Sequence, residues 1–125
     1  MKVSVIIPNY NGFNYLSKCL DALDRQDYTD FNVIVVDDAS TMSGIETVLQ
    51  GHRNVYLIQH NKNMGFAASV NDGIKATDAD YVFLLNNDAY PEKDCIGKLV
   101  NSLFKSSRSL CTIFNLFCHF QRPPN

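Results

Sequence analysis

Apolar residues in this chain fall into two kinds of stretch that alternate along it. In the first kind they are contiguous, short and β-branched or aromatic: Val3-Ser4-Val5-Ile6-Ile7, Val33-Ile34-Val35-Val36, Val55 to Ile58, and Tyr81-Val82-Phe83-Leu84-Leu85. Such runs read as strands buried on both faces. In the second kind they recur every three or four residues, as one apolar stripe of a helix does. Leu16, Cys19, Leu20 and Leu23 form one stripe, and Ile45, Val48 and Leu49 a shorter one that ends near Gly51. Phe66 to Ala76 reads as a helix with Val70 and Ile74 facing inward, weakened slightly by Gly73. Ile96, Leu99, Val100 and Leu103 make the last stripe. Punctuation fits these limits. Pro8 stops the first strand, Asn14 is placed to cap the helix that follows, and Tyr90-Pro91-Glu92 opens the last helix, where proline suits the first turn.

The predicted order is β-α-β-α-β-α-β-α. Alternation at this spacing implies right-handed crossovers and a mainly parallel sheet flanked by helices, an α/β domain. Beyond Lys105 the character changes. Ser106 to Ser109 is a polar break, Leu110 to Phe120 is apolar without a clean period, and the chain closes on Arg122-Pro123-Pro124-Asn125. We therefore divide the chain into residues 1–104, the α/β domain, and 105–125, an atypical tail. The tail reads either as one more strand on the sheet edge or as sequence foreign to the fold, from a premature stop or a shifted frame.

Composition narrows the classes little further. The 125 residues are 46% hydrophobic and 19% charged, as expected for one globular domain, and the net charge of −2 offers no polybasic surface for nucleic acid. The sequence enters its first strand almost at once, so a secretory signal is not expected, and no apolar run is long enough to span a bilayer. Cys19, Cys95, Cys111 and Cys118 show no C-x-x-C spacing, so thiols in a reducing compartment are expected rather than a zinc site.

The candidate chemistry lies where strands stop. Val33 to Val36 runs into Asp37-Asp38, and Tyr81 to Leu85 runs into Asn86-Asn87-Asp88. In open α/β sheets, ligands sit beyond the carboxyl ends of the strands. Tyr10, past the first strand, offers a flat face for a base, and Asp38 an acceptor for a ring N–H or a ribose hydroxyl. The plainer reading of Asp37, Asp38 and Ser40 is capping of the next helix. Asp88 suits Mg²⁺ or Mn²⁺, which favour oxygen ligands and often take only one or two protein carboxylates. Gly65 permits close approach of backbone to a ligand, a helix beginning after it would aim free N–H groups at an anion, and Lys62 could add charge.

The segments VSVIIPNYNG (3–12), VIVVDDAS (33–40), NKNMGFAASVN (61–71) and YVFLLNNDA (81–89) stand in the order and spacing of four motifs, and together the chain resembles inverting family 2 glycosyltransferases. The resemblance covers roughly residues 1–104. It implies the GT-A fold, a Rossmann-like nucleotide-diphospho-sugar transferase architecture, here incomplete at the C-terminus. It also implies transfer of a sugar from a nucleotide-diphospho-sugar to a glycan, lipid or protein acceptor with inversion, as in polysaccharide biosynthesis. Matched by position, Pro8 and Tyr10 would line the base pocket and Asp38 would hold the base. Gly65 would lie in the donor loop, Asn87 beside the sugar or the metal shell, and Asp88 on Mg²⁺ or Mn²⁺. The implied location is the cytoplasm, at the inner face of the membrane.

Two departures qualify this. Asn86 stands where the family's D-x-D motif has its first acid, leaving one charge fewer for a metal. No Asp or Glu follows Asp94, so the general base that inversion requires is not evident and the catalytic residue is unassigned. The expectation is a truncated donor-binding fragment, with a non-catalytic remnant or nucleotide-binding module as the alternative. A receiver domain would carry its acidic pair after the first strand, which here ends in Pro8-Asn9. A sugar nucleotidyltransferase would carry a glycine-rich loop there.

Overall fold

A computed structural model describes residues 2–105; apart from Lys105, which ends the last helix, the tail, with both readings given for it, lies outside the described residues. The elements are β1 (Val3–Asn9), α1 (Phe13–Asp24), β2 (Phe31–Asp37), α2 (Ile45–Leu49), β3 (Val55–Gln59), α3 (Phe66–Lys75), β4 (Tyr81–Leu84) and α4 (Cys95–Lys105). The four strands form one sheet in the order β3-β2-β1-β4, and every pairing is parallel. The alternation expected from the sequence is the one observed.

The central pair β1 and β2 is apolar on both sides because helices cover both faces. Val3, Val5, Ile7, Val33 and Val35 pack with Leu16, Leu20 and Leu23 of α1, Ile45 of α2, and Ile96, Leu99 and Val100 of α4. Ile6, Ile34 and Val36 point to the opposite face, where α3 packs on β1 and β2. Each fully buried Ile, Leu or Val contributes roughly 1.5–3 kcal/mol relative to an exposed one.

Local details correct the sequence reading. Pro8 lies inside β1 and does not stop it. The carbonyl of Ile6 accepts from the N–H of Leu85, so two residues on the Pro8 nitrogen faces the same side, past the end of β4, where no ladder donor is needed. Asn14 is helical, and Gly12 holds the N-cap position of α1. α4 begins at Cys95 rather than near Pro91. Buried Gln26 explains the delay: its Nε2 donates to the carbonyls of Glu92 (2.7 Å) and Pro91 (3.4 Å), and its Oε1 accepts from the N–H of Ile96 (3.1 Å). The glutamine thus holds residues 91–92 out of the helix and satisfies one of the helix's free N–H groups. Cys19 is a free thiol, but Cys95 is disulfide-bonded, so the expectation of thiols fails at that position.

α3 departs most. Its buried residues are Ser69 and Gly73, whereas Ile74 is 44% exposed. A Cβ on Gly73 would stand 2.5 Å from Cγ2 of Ile6 and 3.3 Å from Cγ2 of Val36. The helix therefore lies on the sheet through a small-residue seam, closer than Val70 and Ile74 would allow. Among the described residues no helix is long and apolar enough to cross a membrane.

Candidate functional site

Register sets the site. Asn9, Asp37 and Gln59 lie side by side at the last paired positions of β1, β2 and β3. The next residue of each strand, Tyr10, Asp38 and His60, therefore emerges at one rim. The two adjacent aspartates then part. Asp37 faces inward: its Oδ1 accepts from Asn9 Nδ2 (2.9 Å) and Ser40 Oγ (2.6 Å), and its Oδ2 from the Ser40 N–H (3.1 Å). This ties the turn after β2 to β1 and leaves α2 uncapped by any side chain, so neither Asp37 nor Ser40 is a helix cap.

Asp38 is buried and fastens the loop that precedes α3. Its Oδ1 accepts from the Met64 N–H (2.7 Å) and lies 2.8 Å from His60 Nδ1, and its Oδ2 accepts from the Gly65 N–H (2.9 Å). Gly65 makes this possible with φ 93° and ψ 169°, a backbone conformation essentially restricted to glycine. The far nitrogen of His60, Nε2, lies 2.7 Å from Asp72 Oδ2 on α3. Burial works to raise the Asp38 carboxyl, but the hydrogen bonds from His60, Met64 and Gly65 and the charge of His60 outweigh it and hold the group below the usual aspartate range. The hydrogen bond to Asp38 raises His60; burial opposes this, and the bond to Asp72 and the two negative charges reinforce it, leaving His60 above its ordinary value.

The second wall is the turn after β4. Asn87 Nδ2 donates to Asn9 Oδ1 (2.9 Å), so the amide of Asn9 joins this turn to Asp37. Beneath it the thiol of Cys19 donates weakly to the Asn86 carbonyl (3.9 Å). Burial, with the charge of Asp88 second, pushes that thiol up to about 12, so it stays protonated and is no nucleophile. Asp88 itself is exposed, with no hydrogen-bond or ion-pair partner among the described residues. One uncommitted carboxylate flanked by neutral amides fits Mg²⁺ or Mn²⁺ that completes its shell with ligand phosphates and water.

A cleft of about 490 Å³ opens between these walls, lined by Pro8, Asn9, Tyr10, Asp38, Asn63, Gly65, Phe66, Ser69, Asn86, Asn87 and Asp88. The six residues assigned from sequence to the donor or the metal, Pro8, Tyr10, Asp38, Gly65, Asn87 and Asp88, all line it. Lys62 does not line it. The sequence reading missed Asn9, Asn63, Phe66 and Ser69 as lining residues, and His60 and Asp72 behind them. The signal available for His60 was its place immediately after a strand, on the same rim as Asp38. A separate group, Asp21, Asp24 and His52, brings its donor atoms within 4.8 Å of one another and could hold a metal ion, but shares no residue with the cleft.

The parallel sheet thus carries an acidic, aromatic and glycine-lined cleft at the carboxyl ends of its strands, the place where α/β folds bind ligands. The chain belongs to glycosyl transferase family 2, whose model matches residues 4–120. It is 34% identical over 106 residues to the glycosyltransferase GlyA of Streptococcus pneumoniae, covering 82% of this chain and 15% of that protein. It is 36% identical over 107 residues to a poly(ribitol-phosphate) beta-glucosyltransferase of Bacillus spizizenii, covering 81% and 17%. The chain thus spans less than a fifth of the length of either relative. Among solved structures, S. aureus TarS in complex with UDP-GlcNAc superposes with a TM-score of 0.77 at 29% identity, covering 84% of this chain and 32% of that one. The mannosyltransferase PcManGT of Pyrobaculum calidifontis, in complex with GDP-Man and Mn²⁺, gives 0.75 at 28% identity, covering 81% and 32%. The fold is therefore GT-A.

Proposed function

We propose that this chain binds a nucleotide-diphospho-sugar donor together with a divalent cation, as the donor side of an inverting transfer of the sugar to a glycan, lipid or protein acceptor. The observation that carries the reading is the meeting of Tyr10, Asp38, Gly65 and Asp88 on one cleft. Tyr10, half exposed, presents a ring on which a base can stack, with Pro8 beside it. A carboxylate has roughly four acceptor positions. Three of those of Asp38 are occupied, and one on Oδ2 remains for a ring N–H or ribose hydroxyl.

Asp88 would hold Mg²⁺ or Mn²⁺, which supplies charge neutralisation of the donor phosphates and of the departing diphosphate. The start of α3, without a side-chain cap, borders the same cleft and offers backbone N–H groups to those phosphates. Neither cleft carboxylate is left to take the acceptor's proton, since Asp38 is engaged by its donors and Asp88 is the metal candidate. The base comes from elsewhere, and the alternative to an active enzyme is a nucleotide-binding module. TarS with UDP-GlcNAc and PcManGT with Mn²⁺ support the donor and metal assignments by likeness.

Calorimetric titration with UDP or dTDP in the presence of Mn²⁺ tests the proposal. Binding is expected, and Asp38→Ala and Asp88→Ala should each weaken it. Absence of nucleotide binding under every metal condition would overturn the reading.

A further inference from the structure

His60 stands between two carboxylates. Its Nδ1 is 2.8 Å from Asp38 Oδ1 and its Nε2 is 2.7 Å from Asp72 Oδ2, and its side chain is only 10% exposed. Ionised carboxylates only accept hydrogen bonds, and a neutral imidazole has one N–H to give. Both contacts are therefore satisfied together only by the imidazolium. The charged groups set against the ring are Asp38, at the end of β2, and Asp72, from α3. The backbone N–H of His60 also donates to the Asp37 carbonyl at 2.9 Å, which anchors the residue to β2.

The consequence for the cleft follows from Asp38. The same carboxylate that meets His60 holds the N–H groups of Met64 and Gly65. A bare carboxylate on the wall would repel a diphosphate. We propose that His60 is a positioning residue for the donor: as imidazolium it cancels the charge of Asp38 and, through Asp72 in the second half of α3, ties the loop of residues 60–65 to that helix in the geometry that receives an anionic nucleotide. It touches no ligand itself. The inference deepens the donor-site reading and rests on it.

Two consequences separate it from a merely structural histidine. Nucleotide affinity falls as the imidazolium is lost at rising pH. A neutral substitute, which fills the space and keeps one donor, removes that pH dependence. Asp72→Asn keeps an acceptor for Nε2 but removes its charge, so the His60 midpoint should drop while the loop stays folded.

The experiment combines two readouts on the 125-residue chain. Imidazole nitrogen NMR follows protonation of His60 and the amide shifts of Met64 and Gly65 with pH, in wild type and Asp72→Asn. Calorimetry with UDP and Mn²⁺ compares wild type with His60→Gln across the same range; the variant's profile subtracts the titration of UDP's own phosphate. Expected are both ring nitrogens protonated at neutral pH, Met64 and Gly65 amides that titrate with His60, and a lower midpoint in Asp72→Asn. UDP affinity should fall about tenfold through the His60 midpoint in wild type and be flat and already about tenfold weaker in His60→Gln. A neutral His60 at neutral pH, or identical pH profiles for wild type and His60→Gln, would overturn the proposal. If UDP fails to bind at every pH, the donor-site reading falls and this role for His60 with it. A doubly protonated ring would then show that the arrangement itself is as described.

Discussion

Asp38 and Asp88 line the same cleft and carry the same functional group, yet their surroundings make them opposites. Asp38 is buried with two backbone N–H groups and a histidine bound to it, so its removal strands three donors. Asp88 is exposed and bound to nothing among the described residues. Asp38→Ala should cost about 2–4 kcal/mol of stability, since buried donors left without acceptors forfeit their desolvation. Asp88→Ala should stay within about 0.5 kcal/mol of wild type, as surface changes do. Urea midpoints of the two variants check the contrast. A loss of nucleotide binding in Asp88→Ala is then attributable to the cleft, and the same loss in Asp38→Ala is read against its folded fraction.

Elements were legible where burial fixed their pattern. β1 and β2 are covered on both faces, so their sequences are dominated by short apolar runs and their identity as parallel strands could be read directly. The helix of the opposite face was read less well. α3 is seated through Ser69 and Gly73, and an apolar-stripe argument looks for large residues, so it chose Val70 and Ile74. Gly73→Ala makes the physical point: intrinsic helix propensity favours alanine by about 1 kcal/mol. The methyl would meet Ile6 at 2.5 Å, and overpacking of this kind costs about 1–3 kcal/mol. The variant should therefore melt lower than wild type, and an unchanged or higher melting temperature would show that the seam yields. The start of α4 was misplaced for a related reason. Its cap is supplied by Gln26, 70 residues upstream of Ile96, and no local signal reports such a partner. The site shows the same division. Tyr10, Asp38 and Asp88 announced themselves by residue type just past strands, and Gly65 by its place before a helix. His60 did not, because its two partners lie 22 and 12 residues away and only the fold brings them together.

At the level of the whole molecule, stability should depend on pH through the pair at the rim. His60 lies above its ordinary value, so its contribution is complete below that value and disappears as pH rises through the folded value. Asp38 lies below its ordinary value, so its contribution is complete above that value and disappears as pH falls through the folded one. Both are fully present between the ordinary aspartate and ordinary histidine values. Denaturant midpoints from about pH 5 to about pH 9 should fall toward the alkaline end in wild type and fall less in His60→Gln. Gln26 adds an asymmetry to this picture. The span that carries Asn86 to Asp88 is pinned at its far end by a carboxamide, which neither gains nor loses a proton, and at its near end by Asn87 on Asn9, another pair of carboxamides. Alkali should consequently loosen the Asp38 side of the cleft while the Asp88 side keeps its shape, and amide shifts of Asn86 to Asp88 should hold steady over the pH range in which those of Met64 and Gly65 move.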